Sequence, residues 1–244
     1  MYEFTDITMS FFYSMAKREN AMTLKENIAN IKIPEYSEKQ ECFNAISHAL
    51  GLLVAFGIMV FGLVKQATNS ISLFYFFGLL IFGWSAFMVY LISALYHGVD
   101  KNTYQKKVLR VLDHCTIYLL IAGTYTPICF VLMSTNIIGL IMLISEWVSA
   151  VIGIILNAFL FDNKVSRVIS FILYVAMGWL CLFCGGFLYI PLISFAFILG
   201  GGIAYTIGSI LYAIGKKNTN LHCIFHIFVL ISTIIQAIGV FLLF

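Results

Sequence analysis

Seven stretches of mostly apolar residues, separated by short polar breaks, run along the chain at approximately 44–64, 72–97, 108–133, 137–157, 168–188, 191–214 and 222–244. A bilayer core of roughly 30 Å requires about 20 such residues in a helix, so each stretch reads as a transmembrane span. The runs are continuous and do not alternate at period two, which excludes a membrane β-barrel. The pattern predicts an all-α membrane protein, a seven-transmembrane helix bundle over 44–244 preceded by a polar, partly helical arm over 1–43. The narrowest break, 189–191, depends on one proline, and six spans is the competing count. Within the arm, 9–15 is apolar but too short to span. No basic residue precedes it, so it fits an interfacial helix rather than a signal peptide.

Composition points the same way. Hydrophobic residues make up 61% of the 244 positions and charged residues 10%, against about 25% charge in a soluble domain. Residues 1–43 hold 12 of the 25 charges. A net charge of +3, with no basic run, zinc-finger spacing or phosphate loop, gives no reason to expect a nucleic-acid partner. The six cysteines form no disulfide framework, and Cys181 and Cys184 lie within one apolar run, where packing is the simpler reading. No Gly-x-Ser-x-Gly elbow supports a serine hydrolase.

Several polar residues lie inside the runs, where they are costly and therefore informative. Ser93 and His97 are one helical turn apart near the end of the second run, and His222 and His226 repeat that spacing at the start of the seventh. Asp113 lies just inside the start of the third. Odd spans start and even spans end on one side of the membrane, so the three groups share one depth. Two histidines at helical spacing plus a third from another helix suit zinc, and three protein ligands leave a position open for water. Copper and iron share the preference for imidazole. A pair of interfacial histidines facing headgroups is the simpler alternative. Asp113 can ligate, act as general base, or pair with Arg110 one turn away.

Glu41, Asn44 and His48 fall on one face of the first span, with Ser47 beside them. There, hydrogen bonds to neighbouring helices are the expected role rather than ligation. His114 points about 100° from Asp113 around the helix and reads as interfacial or supporting. Glu146, in the middle of the fourth span with no basic partner at its depth, reads as a protonated, hydrogen-bonded packing residue, with proton transfer as the alternative. Gly200, Gly201, Gly202 and Gly208, with Tyr205 and Tyr212, predict close helix approach in the sixth span. Pro127 predicts a kink in the third.

Taken together, Glu41, Asn44, Ser47 and His48; Ser93 and His97; Arg110, Asp113 and His114; Gly123-Thr-Tyr-Thr-Pro127; Gly201, Gly202, Tyr205, Gly208 and Tyr212; and His222 and His226 give the chain its likeness. In order and spacing it resembles the hemolysin III branch of the progestin and adipoQ receptor superfamily, from about residue 41 to the C-terminus. The resemblance implies seven helices with a cytoplasmic N-terminus and Zn2+ held by His97, His222 and His226. It also implies that Asp113 and Ser93 contact or orient the water on that zinc. Adiponectin-receptor relatives are associated with hydrolysis of ceramide-type lipids, and the branch name with haemolysis. Cys115, where a small hydroxyl residue is expected, and Glu146 depart from the pattern.

Three functions are compatible with this reading: a zinc-dependent hydrolase of a lipid amide or ester, a receptor-like or membrane-homeostasis protein with structural zinc, and a pore-forming cytolysin. The last wants polar groups across the whole membrane, whereas these gather at one end. A membrane lipid is the expected substrate or ligand, and the cell membrane the expected location.

Of the 14 lysines and arginines, 13 fall in the arm, in the breaks after the second, fourth and sixth runs or, for Arg110, at the start of the third run, and only Lys65 falls on the other side. This asymmetry places the N-terminus in the cytoplasm and, with seven spans, the C-terminus outside. Epitope tags at the two ends are therefore expected to differ in accessibility on intact cells. Two protected tags would mean an even number of spans.

Overall fold

The computed structural model describes residues 24–161, 163–214 and 218–244, which are helical almost throughout. The apolar segment 9–15 lies outside the described residues. The helices are α1 (Leu24–Ala29), α2 (Glu38–Ala67), α3 (Leu73–Gly98), α4 (Tyr104–Met133), α5 (Ile138–Leu160), α6 (Lys164–Gly178), α7 (Leu180–Phe183), α8 (Leu192–Ile214) and α9 (Thr219–Phe241), with a 3-10 turn at Gly186–Tyr189 before α8.

The starts of α2, α4, α6 and α9 lie in the polar breaks, ahead of the apolar runs, because the capping side chains are there. Ser37 and Gln40 form a reciprocal capping box at α2. Ser72, Thr103, Asn163 and Asn218 cap α3, α4, α6 and α9. Each supplies an acceptor to a first-turn N–H that has no partner within the helix. As a result Glu38–Phe43, expected in the arm, belong to the first long helix.

Among the described residues, six helices are long and apolar enough to cross a membrane: α2, α3, α4, α5, α8 and α9. The run at 168–188, expected as one continuous span, is instead broken into α6, α7 and the 3-10 turn. The 15 residues of α6 reach about 22 Å at 1.5 Å per residue, short of a full crossing. The break falls at Gly178 and Trp179, and Tyr125 compensates for it: its hydroxyl donates to Gly178 O at 2.9 Å and accepts from Cys181 N at 3.3 Å. Trp179 Nε1 donates to Thr206 Oγ1 at 3.2 Å. A helix can break within apolar surroundings only where such partners take up the freed backbone groups. A second bend, at Gly185, uses a positive φ of 69°.

The bundle is ordered by sequence. α2 packs on α3, α3 on α4, α4 on α5 and α8 on α9, and α9 returns to α2. α4 is the most enclosed of the long helices. Its threonines satisfy themselves, Thr124 on Leu120 O and Thr126 on Ala122 O, so the buried hydroxyls need no external partner. Ile, Leu, Val and Phe side chains cover the outward faces, for example Leu53, Ile144, Phe183 and Leu192. On a soluble protein this would be an aggregation surface; in a bilayer it is the lipid contact.

Small residues set the closest helix contacts. Gly201 and Gly208 face α9 as expected: an added Cβ would meet Gln236 and Phe228 respectively, whereas at Gly202 it would meet nothing. At Gly51 it would come within 2.2 Å of the fully buried Tyr90 ring. Tyr90 in turn donates to Thr233 of α9 at 2.7 Å, so the ring has no room to retreat. Gly51→Ala is expected to lower stability in detergent by about 1–3 kcal/mol, the usual cost of overpacking. Gly57→Ala, with nothing near its added methyl, is expected to gain about 0.5–1 kcal/mol from helix propensity. Thermal unfolding of the two variants beside the wild type checks both signs.

Candidate metal centre

One end of the bundle carries the starts of α2, α4 and α9 and the end of α3. There His97, from the last turn of α3, meets His222 and His226, one turn apart at the start of α9, and all three are buried. Their Nε2 atoms converge, His226 to His222 at 2.9 Å and His222 to His97 at 3.5 Å. Four tetrahedral nitrogens at about 2.1 Å from a zinc ion lie about 3.4 Å apart, a spacing that these two distances bracket. Among the described residues this is the one group of three or more potential ligands close enough to hold a metal ion.

The histidines differ in what stands behind them. His97 Nδ1 lies 2.6 Å from Glu41 Oε2. Its proton therefore sits on Nδ1 and its Nε2 lone pair faces the other two rings, the arrangement in which a carboxylate orients a ligating imidazole. Glu41 Oε1 accepts from Lys106 Nζ at 2.7 Å. Nδ1 of His222 and of His226 has no partner among the described residues.

The strap between α1 and α2 covers this end. Ile31 is buried beside Val111 and Cys115, Arg110 donates to Lys32 O, and Lys107 to Ala29 O. At its end Tyr36 stacks on His222, ring centroids 4.9 Å apart, and meets His97 edge-on at 5.7 Å. Burial raises the Tyr36 phenol above its ordinary pKa and keeps it neutral. Gln40 Nε2 closes the side towards α9 through Thr219 and Asn220.

The other residues singled out in the sequence are spread around this centre. Asp113 is outside the three-histidine group. Its Oδ2 lies 3.9 Å from His114 Nδ1, and it is near enough to Tyr36 and Tyr212 to act on them electrostatically. Its expected alternative partner Arg110 is used elsewhere, on the strap and over the Phe161 ring at 5.2 Å. His114 donates to Arg110 O at 3.0 Å and accepts from Tyr212 at 3.1 Å, and the Tyr212 ring lies 5.6 Å from that of His222. Asp113, His114 and Tyr212 thus form a polar flank to the centre.

Glu41 ties α2 to its neighbours as expected. Asn44 and His48 do not: all four of their polar side-chain atoms, and Ser93 Oγ, are buried without a hydrogen-bond partner among the described residues. His48 packs edge-on against His226 at 4.0 Å between centroids and against Tyr90 at 5.4 Å. The hydrogen bonds expected of Glu146 are also missing; both carboxyl oxygens are buried without a partner. Helix α4 offers Tyr125 and Cys129 on that side, and the Tyr125 hydroxyl is already committed to the α6–α7 break.

Two residues of this end escaped the sequence reading. Lys106 read as a loop charge, and only its spacing from the break at 99–103 could have placed it in the first turn of a helix. Tyr36 lay in the arm, where nothing in the sequence ties it to a histidine 186 positions later. With metal-free protein, Tyr36→Ala is expected to raise the rate at which diethyl pyrocarbonate modifies His222 several-fold, while thermal stability changes little. Peptide mapping of the modified histidines measures it.

A sequence model of the family described as "Haemolysin-III related" matches residues 36–237. The "Hemolysin-3 homolog" of Bacillus subtilis (strain 168) is 36% identical over 198 residues, which cover 80% of this chain and 90% of that protein. The "Hemolysin-3" of Bacillus cereus is 34% identical over 197 residues, 79% of this chain and 86% of that protein.

Proposed function

The chain belongs to the haemolysin-III related family of multi-pass integral membrane proteins, and on that premise we propose that it is a zinc-dependent hydrolase of a lipid amide or ester in the cell membrane. The observation that carries the reading is the meeting of three buried histidines whose ligand atoms lie within 4.8 Å of one another, with His222 Nε2 at 2.9 Å from His226 Nε2 and 3.5 Å from His97 Nε2. Three neutral imidazoles favour zinc over magnesium or calcium, and three protein ligands are the number typical of a catalytic site. In the proposed topology the region 164–189 completes a seventh crossing, the N-terminus is cytoplasmic and the C-terminus is outside. The centre then lies near the cytoplasmic face.

A zinc ion held by His97, His222 and His226 would supply Lewis acidity and make water a better nucleophile near neutral pH. The chain's residues do the remaining work. His97, His222 and His226 fix the position of the ion. Asp113 takes up the proton of the attacking water, and Ser93, one turn from His97 with an unpaired hydroxyl, orients that water. Tyr36 and the strap shield the centre from bulk solvent.

A second reading keeps the same zinc as a structural pin between α3 and α9 in a receptor-like or homeostatic protein. What favours it is that Asp113 stands outside the three-histidine group. The Bacillus cereus relative's name, "Hemolysin-3", keeps cytolysis as a third.

Metal content, melting temperature and hydrolysis of a panel of ceramide-like amides distinguish these readings. His226→Ala is expected to lose zinc and melting temperature together, since a ligand that binds only the folded state stabilises it. Asp113→Asn is expected to keep both and to lose about 10²-fold or more in turnover, the scale of a missing general base. Zinc-replete wild type inert towards every amide and ester tested favours the structural reading. Stoichiometric zinc in a triple variant of the histidines rejects the site.

A further inference from the structure

Two of the three converging histidines come from one helix. Because His222 and His226 are a single turn apart on α9, the helix itself fixes their relative position. His97 comes from α3 and has to be set against them by something else, and the structure shows what surrounds it. Lys106, in the first turn of α4, is fully buried. Its ammonium lies 2.7 Å from Glu41 Oε1, 3.5 Å from the His97 carbonyl and 4.7 Å from the centroid of the Tyr96 ring. The second Glu41 oxygen lies 2.6 Å from His97 Nδ1. We propose that Glu41 and Lys106 are positioning residues of the metal centre, Lys106 anchoring the Glu41 carboxylate and Glu41 holding His97 with its Nε2 aimed at His222 and His226.

The inference rests on the metal reading above and adds to it the mechanism that aligns its third ligand. Each carboxylate oxygen has its own partner, so Glu41 cannot turn towards the histidine cluster without breaking the Lys106 contact. The chain of contacts spans α2, α3 and α4, so it also fixes where α3 ends relative to its neighbours. Lys106 reaches both the carboxylate and the backbone of the residue that the carboxylate holds, and its ammonium is further stabilised by the face of Tyr96. Behind His222 and His226 no comparable contact exists among the described residues. That asymmetry is expected if α9 already does for those two what Glu41 does for His97.

The test uses full-length protein in detergent, stripped of metal, with zinc affinity read by competition against a chromophoric chelator and coordination read from the visible absorption of cobalt(II) added in its place. Glu41→Gln is expected to weaken zinc binding by about 10–100-fold, the usual effect of removing the partner of a ligating histidine, and to alter the cobalt spectrum. Lys106→Met strands a half-buried carboxylate and can fail to fold. The double variant Glu41→Gln/Lys106→Met restores charge balance and keeps the experiment interpretable. If the two residues act as one unit, the zinc loss caused by Glu41→Gln shrinks when residue 106 is already Met; where the single Lys106→Met variant does not fold, the double variant is compared with the wild type directly and is expected to bind zinc more weakly.

A pair that merely braces the helices would lower the melting temperature of the metal-free protein while leaving zinc affinity and the cobalt spectrum at wild-type values. That outcome overturns the inference and leaves the metal reading intact. Wild type that binds neither zinc nor cobalt overturns the metal reading, and the inference with it.

Discussion

In apolar surroundings that offer no hydrogen bonds, each polar atom buried by the bundle must find its partner within the protein, and the arrangement of the helices follows from how that demand is met. Most of the backbone meets it by being helical. Buried hydroxyls on α4 and α9 meet it by bonding to the preceding turn, as Thr124, Thr126, Ser232 and Thr233 do. Where the backbone departs from a helix, at Gly178 and Trp179, a tyrosine from the central helix supplies both a donor and an acceptor. The break is therefore tolerated only because α4 passes beside it.

The same demand explains why the histidine end is distinct from the rest of the molecule. Elsewhere several buried hydroxyls bond within their own helix, while Tyr125, Trp147 and Trp179 bond across helices. At this end the partners come from different helices, so satisfying them also aligns the helices. Glu41 joins α2, α3 and α4 through His97 and Lys106, and Tyr90 with Tyr205 joins α3 and α8 to Thr233 of α9, at 2.7 and 2.5 Å. Beside these matched groups Asn44, His48 and Ser93 are left without hydrogen-bond partners among the described residues. Unpaired buried polar groups typically cost about 1–3 kcal/mol each, and three such residues around one metal-compatible cluster fit a place where further hydrogen-bonding chemistry is done. Glu146 is the contrasting case, a buried carboxyl with, among the described residues, both oxygens unpaired and no ligand cluster around it.

Family membership and this geometry bear on different questions. The match over residues 36–237 identifies the scaffold, but one scaffold can serve catalysis, reception or membrane disruption, so function is argued from the site. The site contributes ligands of one chemical type, a defined tautomer at His97, and an aromatic cover, Tyr36, from the strap that leads into α2.

The sequence by itself determined the class of protein, six of the seven long apolar elements, and the three histidines. It could do so because lipid imposes a length and a continuity on apolar runs that are visible residue by residue, and because turn-spaced histidines announce a shared helical face. It did not determine the break in the run at 168–188. Apolar content there is as continuous as elsewhere, and the break depends on Tyr125, some 50 positions earlier, being within reach. Nor did it reveal that Lys106 turns inward or that Tyr36 lies over His222, since both are contacts between segments far apart in the chain. The sequence also suggested hydrogen-bond partners for Asn44, His48 and Glu146 that the described residues do not provide. Periodicity shows which face of a helix a residue occupies; only the packed helices decide what that face meets.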